Sequence, residues 1–261
     1  MIRHLLKYDL KKMSKILIYM QVITIAFAGI TAIFKIWDDI NVINVIALVL
    51  AGITYSGIAN VLVNTFVHIL KNVSSSFYKD ESYLTHTLPV TKTELITSKY
   101  VAGLILVIAS IAVSLLSLFL VLYSPEMASL VEGFLTTSLL GYNLKPSVFI
   151  GLLSGCMLAQ VCMLISLAFF TIIKSNSYGE KRLIKGIAWF LILYLIYNLT
   201  TLVFGIIIIA CMGRINELAT EIPSQQTVIA LLITQFVFCI VYSVVFFFLA
   251  KREFNKGVNV D

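Results

Sequence analysis

Six stretches of this sequence, residues 16–34, 42–70, 100–124, 147–173, 186–213 and 224–250, contain no Asp, Glu, Lys or Arg. A helix of about 20 apolar residues crosses the ~30 Å hydrocarbon core of a bilayer. A charge at the centre of such a helix costs ~2.5–3.5 kcal/mol on insertion scales. Six long runs free of charge therefore require an apolar solvent. A membrane barrel would alternate polar and apolar residues, whereas four consecutive isoleucines stand at 206–209. The expected fold is all-α, a polytopic membrane helix bundle of six transmembrane helices forming one transmembrane domain over residues 1–261. Composition agrees, since only 12% of the 261 residues are charged and 60% are hydrophobic, too little polarity to coat a soluble globule and too much hydrophobicity for disorder.

The gaps between the runs orient the chain. Of 19 Lys and Arg, all but Lys35, Lys145 and Arg214 lie in the N-terminal flank, the second and fourth connecting loops and the C-terminal tail. By the positive-inside rule those four segments, and so both termini, are expected to be cytoplasmic. The net charge of +6 is then a topology signal and calls for no nucleic acid. Ala26-Phe27-Ala28 has the form of a signal cleavage site, but its apolar run is longer than a signal core, so it reads as a retained span.

Along the chain, residues 1–15 place Ile2, Leu5, Leu6, Leu10 and Met13 at helical spacing among Arg3, Lys7, Lys11 and Lys12. This predicts an amphipathic interfacial helix whose cations meet lipid headgroups. In the second run Gly52, Ser56, Asn60, Asn64 and His68 recur every four residues, which puts neighbours on one helix face. Ser56, Asn60, Asn64 and His68 read as lining a substrate path or a subunit interface, or as interhelical glue. Gly151 and Gly155 in the fourth run form a small-residue pair that permits close packing. Extracellular loops are expected at 125–146 and 211–225.

Residues 71–99 are the longest basic gap. Ser74-Ser75-Ser76 is a helix-start signal, and Phe77, Leu84 and Leu88 would share one face of the helix that follows. Pro89 forces Leu88 out of the helical region. Thr91-Lys92-Thr93-Glu94 has the form of a capping box, from which a second helix runs into the third span. The loop is thus read as two helical pieces hinged at Leu88-Pro89.

Chemistry on the chain itself is sparse. No phosphate-cradling GxxxxGK[S/T] loop and no HExxH motif occurs, and the three histidines, His4, His68 and His86, are far apart in sequence. Cys156, Cys162, Cys211 and Cys239 form no CxxC pair and read as small apolar residues rather than metal ligands. No catalytic or metal site is expected. No carboxylate lies inside a span, against a proton-coupled transporter.

The segment 77–91, Phe-Tyr-Lys-Asp-Glu-Ser-Tyr-Leu-Thr-His-Thr-Leu-Pro-Val-Thr, resembles the pattern F-x-x-D/E-E-x-Y-L-T-x-T-L-P-V-S/T of permease subunits of bacterial type-2 ABC exporters. The basic amphipathic start and Lys99 at the foot of the third span are similar to that group as well, while His86 departs from the apolar or hydroxyl residue expected at its place. The resemblance implies a membrane subunit of the bacterial plasma membrane. It would pair with itself or with a paralogous permease and sit in contact with membrane lipid. Separate ABC ATP-binding subunits would carry the ATP and Mg, with no cofactor on this chain. Residues 71–99 would be the coupling loop, with Phe77, Asp80, Glu81, Tyr83, Leu84, Leu88 and Pro89 facing the ATPase. The spans' apolar lining suits a hydrophobic or amphipathic cargo such as a peptide, antibiotic or lipid. The rival expectation is a membrane scaffold or sensor that binds partners without transport.

Overall fold

The computed structural model describes residues 2–35, 41–78, 90–122, 133, 146–176, 182–214 and 224–256. They form six helices: α1 (Ile2–Lys35), α2 (Asn41–Tyr78), α3 (Lys92–Leu122), α4 (Pro146–Ser175), α5 (Arg182–Cys211) and α6 (Gln225–Asn255). No strand occurs among the described residues. All six are long and apolar enough to span a membrane, so the chain is a multi-pass, all-helical membrane protein. With 30–38 residues each, the helices measure ~45–57 Å and outreach the ~30 Å hydrocarbon core.

The helix ends follow local chemistry. Ser224 caps α6, its hydroxyl accepting from Thr227 N. Pro146 opens α4, at the position where a missing N–H costs nothing. Gly213 follows α5 with φ of 71°. Its N–H bonds to Ala210 O at 2.9 Å and Arg214 N to Ile209 O at 3.1 Å, the paired closure that a left-handed glycine permits. Arg214 then donates to Ser224 and Gln226 at the start of α6.

The helices divide into two compact units, one holding α1–α3 and the other α4–α6. Within the first, Asp9–Lys99, Gln21–Ser110 and Lys35–Val121 link α1 to α3 at nearly constant offsets of 90, 89 and 86 residues, so these two run parallel. Helix α2 runs antiparallel to both, touching α1 through Thr31 and Thr54 (3.2 Å) and α3 through Thr65 and Ser110 (2.8 Å). Ser98, Ala102, Leu106, Ser110, Ser114, Ser117 and Val121 are the buried seam of α3. Within the second unit α4 and α6 are the parallel pair, joined by Cys156 to Leu232 O (3.3 Å) and by Ser166 to Ser243 (2.9 Å).

Three local expectations change. First, residues 1–15 form no separate helix, since α1 is uninterrupted from Ile2 to Lys35. Neither Gly nor Pro occurs before Gly29 to break it. Second, no helix begins at Ser74-Ser75-Ser76. Helix α2 continues through them to Tyr78 because Val73, Ser76, Phe77 and Tyr78 are buried against the unit. Residues 71–78 of the 71–99 gap therefore belong to α2. Third, the small-residue pair in α4 makes no close approach: a Cβ on Gly151 would meet nothing within 4 Å, and one on Gly155 only the Phe236 ring at 3.7 Å. Tight places in the same unit are Gly186 and Gly205, where a Cβ would stand 3.1 Å from Ser175 Oγ and 3.2 Å from Leu231 Cδ2.

Candidate functional site

The segment carrying the sequence signature follows α2, which ends at Tyr78, and precedes α3, which begins at Lys92. Asp80, Glu81, Tyr83, Leu84, Leu88 and Pro89 lie outside the described residues, as does the hinge assigned to Leu88-Pro89. Both flanks are described.

The entry flank is the predicted capping box. Glu94 N donates to Thr91 Oγ1 at 3.2 Å, and Thr91 N donates back to Glu94 Oε2 at 3.1 Å. Thr91 Oγ1 also donates to Glu94 Oε2 at 2.9 Å. Two backbone donors that a helix start leaves unpaired are thereby satisfied, and α3 runs from Lys92 into the third span as expected.

Two turns further on is a buried ion pair. Lys99 Nζ lies 2.9 Å from Asp9 Oδ1, with both side chains about 95% buried. Ser98 Oγ donates to Asp9 Oδ2 at 3.1 Å. The same ammonium stands over the Phe77 ring, 5.7 Å from its centroid. Both carboxylate oxygens are thus satisfied, and the cation has an anion on one side and an aromatic face on another. The desolvation cost of a buried pair is offset only by such completeness. Asp9 comes from the base of α1, Phe77 from the last turn of α2 and Lys99 from the foot of α3. The cluster therefore ties together three helix ends and holds both ends of the 79–91 segment.

This geometry reassigns Phe77. Its expected role was contact with a partner, but its side chain is fully buried inside the unit and packs against Lys99. Lys99 lies two turns into α3. Asp9 was not anticipated. The available signal was that it is the lone acid of α1 and lies four residues before Met13 and eight before Leu17, both buried, so it shares their face.

The polar series on α2 begins on the face turned away from the unit's core. Ser56 and Asn60 are exposed, opposite the buried Thr54, Val61 and Thr65, and the series drifts until Asn64 and His68 are half-buried. Asn64 Nδ2 donates to Asn60 O at 3.0 Å and also to Asn60 Oδ1. Ser56 and Asn60 are consequently not glue inside this unit. Gly52 also faces open space, and the close approach of α2 to α1 occurs instead at Gly57, 3.3 Å from Thr24 Oγ1.

A second polar cluster joins the middles of α4, α5 and α6. Tyr197 OH donates to Gln160 Oε1 at 2.9 Å, and Gln235 Nε2 donates to Tyr197 OH at 2.6 Å and to Gln160 Oε1 at 3.1 Å. Cys239 Sγ donates to the same Gln160 oxygen at 3.0 Å. Tyr242 stacks edge-on against Tyr197 at 5.2 Å and bonds Thr200 at 2.8 Å. In an apolar medium such groups must find partners within the protein, and these do. Among the described residues no group of His, Cys, Asp and Glu is arranged to hold a metal ion.

No known protein family, curated protein or solved structure matches this chain.

Proposed function

We propose that this chain is the transmembrane permease subunit of a bacterial ABC exporter. In this reading it works in the plasma membrane, with its basic flanks and both termini cytoplasmic. ATP and Mg are handled by a separate ABC ATP-binding subunit, and the permease pairs with itself or a paralogue. The observation that carries the reading is the 77–91 signature, in a chain of six membrane-spanning helices that lacks a phosphate loop of its own. Its mechanical sense comes from the flanks: the capped start of α3 and the Asp9–Lys99–Phe77 cluster hold both ends of the segment against three helices. A push on the segment would then move three helix ends together rather than be absorbed by slack chain. Cargo that suits spans without charge is hydrophobic or amphipathic, such as a peptide, an antibiotic or a lipid.

The test is purification of tagged full-length chain from its native membrane in mild detergent. A co-purifying Walker-motif ATPase, released by altering residues 80–89, supports the reading. A folded chain that carries no such subunit overturns it and leaves a scaffold or sensor as the better account.

A further inference from the structure

The continuity of α1 exposes a feature the function above does not use. Arg3, Lys7, Lys11 and Lys15 follow one another at four-residue steps and are all exposed. Such steps drift only ~40° around a helix, so the four cations form one stripe. Asp9, the lone acid on α1, points the opposite way and is committed to Lys99 and Ser98. Like charges at i,i+4 destabilise a helix by ~0.2–0.5 kcal/mol per pair, and this stripe has three such pairs. It persists on a helix whose other face is locked into the unit through Asp9, Met13 and Leu17.

We infer that the Arg3–Lys7–Lys11–Lys15 stripe is a docking surface for the phosphate headgroups of anionic phospholipids. Three observations select a lipid over an acidic protein or a nucleic acid. Lys15 directly precedes Ile16, where the charge-free run begins, so the stripe starts at the headgroup layer. Tyr8 and Tyr19, each 66% exposed, flank it with the amphipathic rings that favour membrane interfaces. The long lysine stems let the ammonium groups reach phosphate while their methylenes stay on apolar surface. The stripe is ~18 Å long and the headgroup layer ~5–8 Å thick. On an upright helix Lys11 and Lys15 reach phosphate first, and tilting α1 brings in Lys7 and Arg3. This inference is independent of whether an ATPase binds.

The test uses full-length protein in neutral detergent, with lipid retention read by native mass spectrometry after adding phosphatidylglycerol or phosphatidylcholine. Each basic residue near an anionic surface contributes on the order of 1 kcal/mol. The triple variant K7Q/K11Q/K15Q should therefore lose phosphatidylglycerol retention by ~10-fold or more, with phosphatidylcholine unchanged. The control K92Q/K256Q, which neutralises two exposed lysines set several residues back from the charge-free runs, should retain it. In the unaltered protein, salt near 1 M, where the Debye length is ~3 Å, should release the lipid. Equal loss in the control, no preference for phosphatidylglycerol, salt-insensitive retention, or tighter binding of poly-glutamate than of phosphatidylglycerol vesicles would each overturn the inference.

Discussion

Lys99 and Asp9 are 90 residues apart in the chain and 2.9 Å apart in space, in a site closed to solvent. Removing one partner strands the other charge, which costs ~3–5 kcal/mol in buried pairs. Asp9→Asn and Lys99→Met should therefore each lower the melting temperature in detergent strongly. The double replacement Asp9→Leu/Lys99→Met should recover much of the loss, because no bare charge remains. Additive losses in a double-mutant cycle would show that the two groups do not interact.

The capping box at the start of α3 is locally separable. Thr91→Ala removes the acceptor for Glu94 N and should cost ~0.5–2 kcal/mol. The damage should stay in the first turn, read as faster amide exchange at residues 93–95 with little change beyond Lys99. Unchanged exchange there would place the helix start under tertiary control instead.

In the second unit, Tyr197→Phe removes the hydroxyl that links Gln160, Gln235 and Cys239. Hydrogen bonds between membrane helices contribute ~0.6–2 kcal/mol, so a loss of that order is expected, measured by thermal unfolding. Thiol labelling offers a parallel check. Cys211 is exposed, whereas Cys156 and Cys239 are buried, so a maleimide should modify Cys211 first.

Two glycines of α2 should respond with opposite sign. Gly52→Ala meets open space and should stabilise the helix by up to ~1 kcal/mol. Gly57→Ala places a methyl 3.3 Å from Thr24 Oγ1 and should push α2 off α1, lowering the melting temperature. If Gly52→Ala is the more damaging, the exposed stripe of Ser56 and Asn60 is covered by something in the native membrane.

On the proposed function, reversing Asp80 and Glu81 to Lys should release the ATPase subunit while leaving the Asp9–Lys99 cluster and the melting temperature of the purified chain unchanged. Full co-purification of the ATPase with the reversed variant would remove these residues from the contact.

The legible parts were the local ones. Six helices follow from charge-free runs, because any charge inside the hydrocarbon is penalised wherever its helix packs. The Thr91–Glu94 box was readable because capping depends on residues three apart. Phe77 was misjudged for the complementary reason. In sequence it belongs to a polar connecting segment, and only the continuation of α2 to Tyr78 turns its ring inward. Gln160, Gln235 and Cys239 gave no warning either, since isolated polar residues in apolar runs declare no partner until helices are paired.

The number and apolar character of the helices were therefore set by the one-dimensional pattern, as the membrane acts on each segment separately, whereas the extensions of α1 and α2 beyond their apolar runs were not. Which helices lie parallel, which carboxylate receives Lys99 and which glycine admits a neighbour were decided by packing. Those choices join residues tens of positions apart, and their energies exist only once α1, α2 and α3, or α4, α5 and α6, have come together.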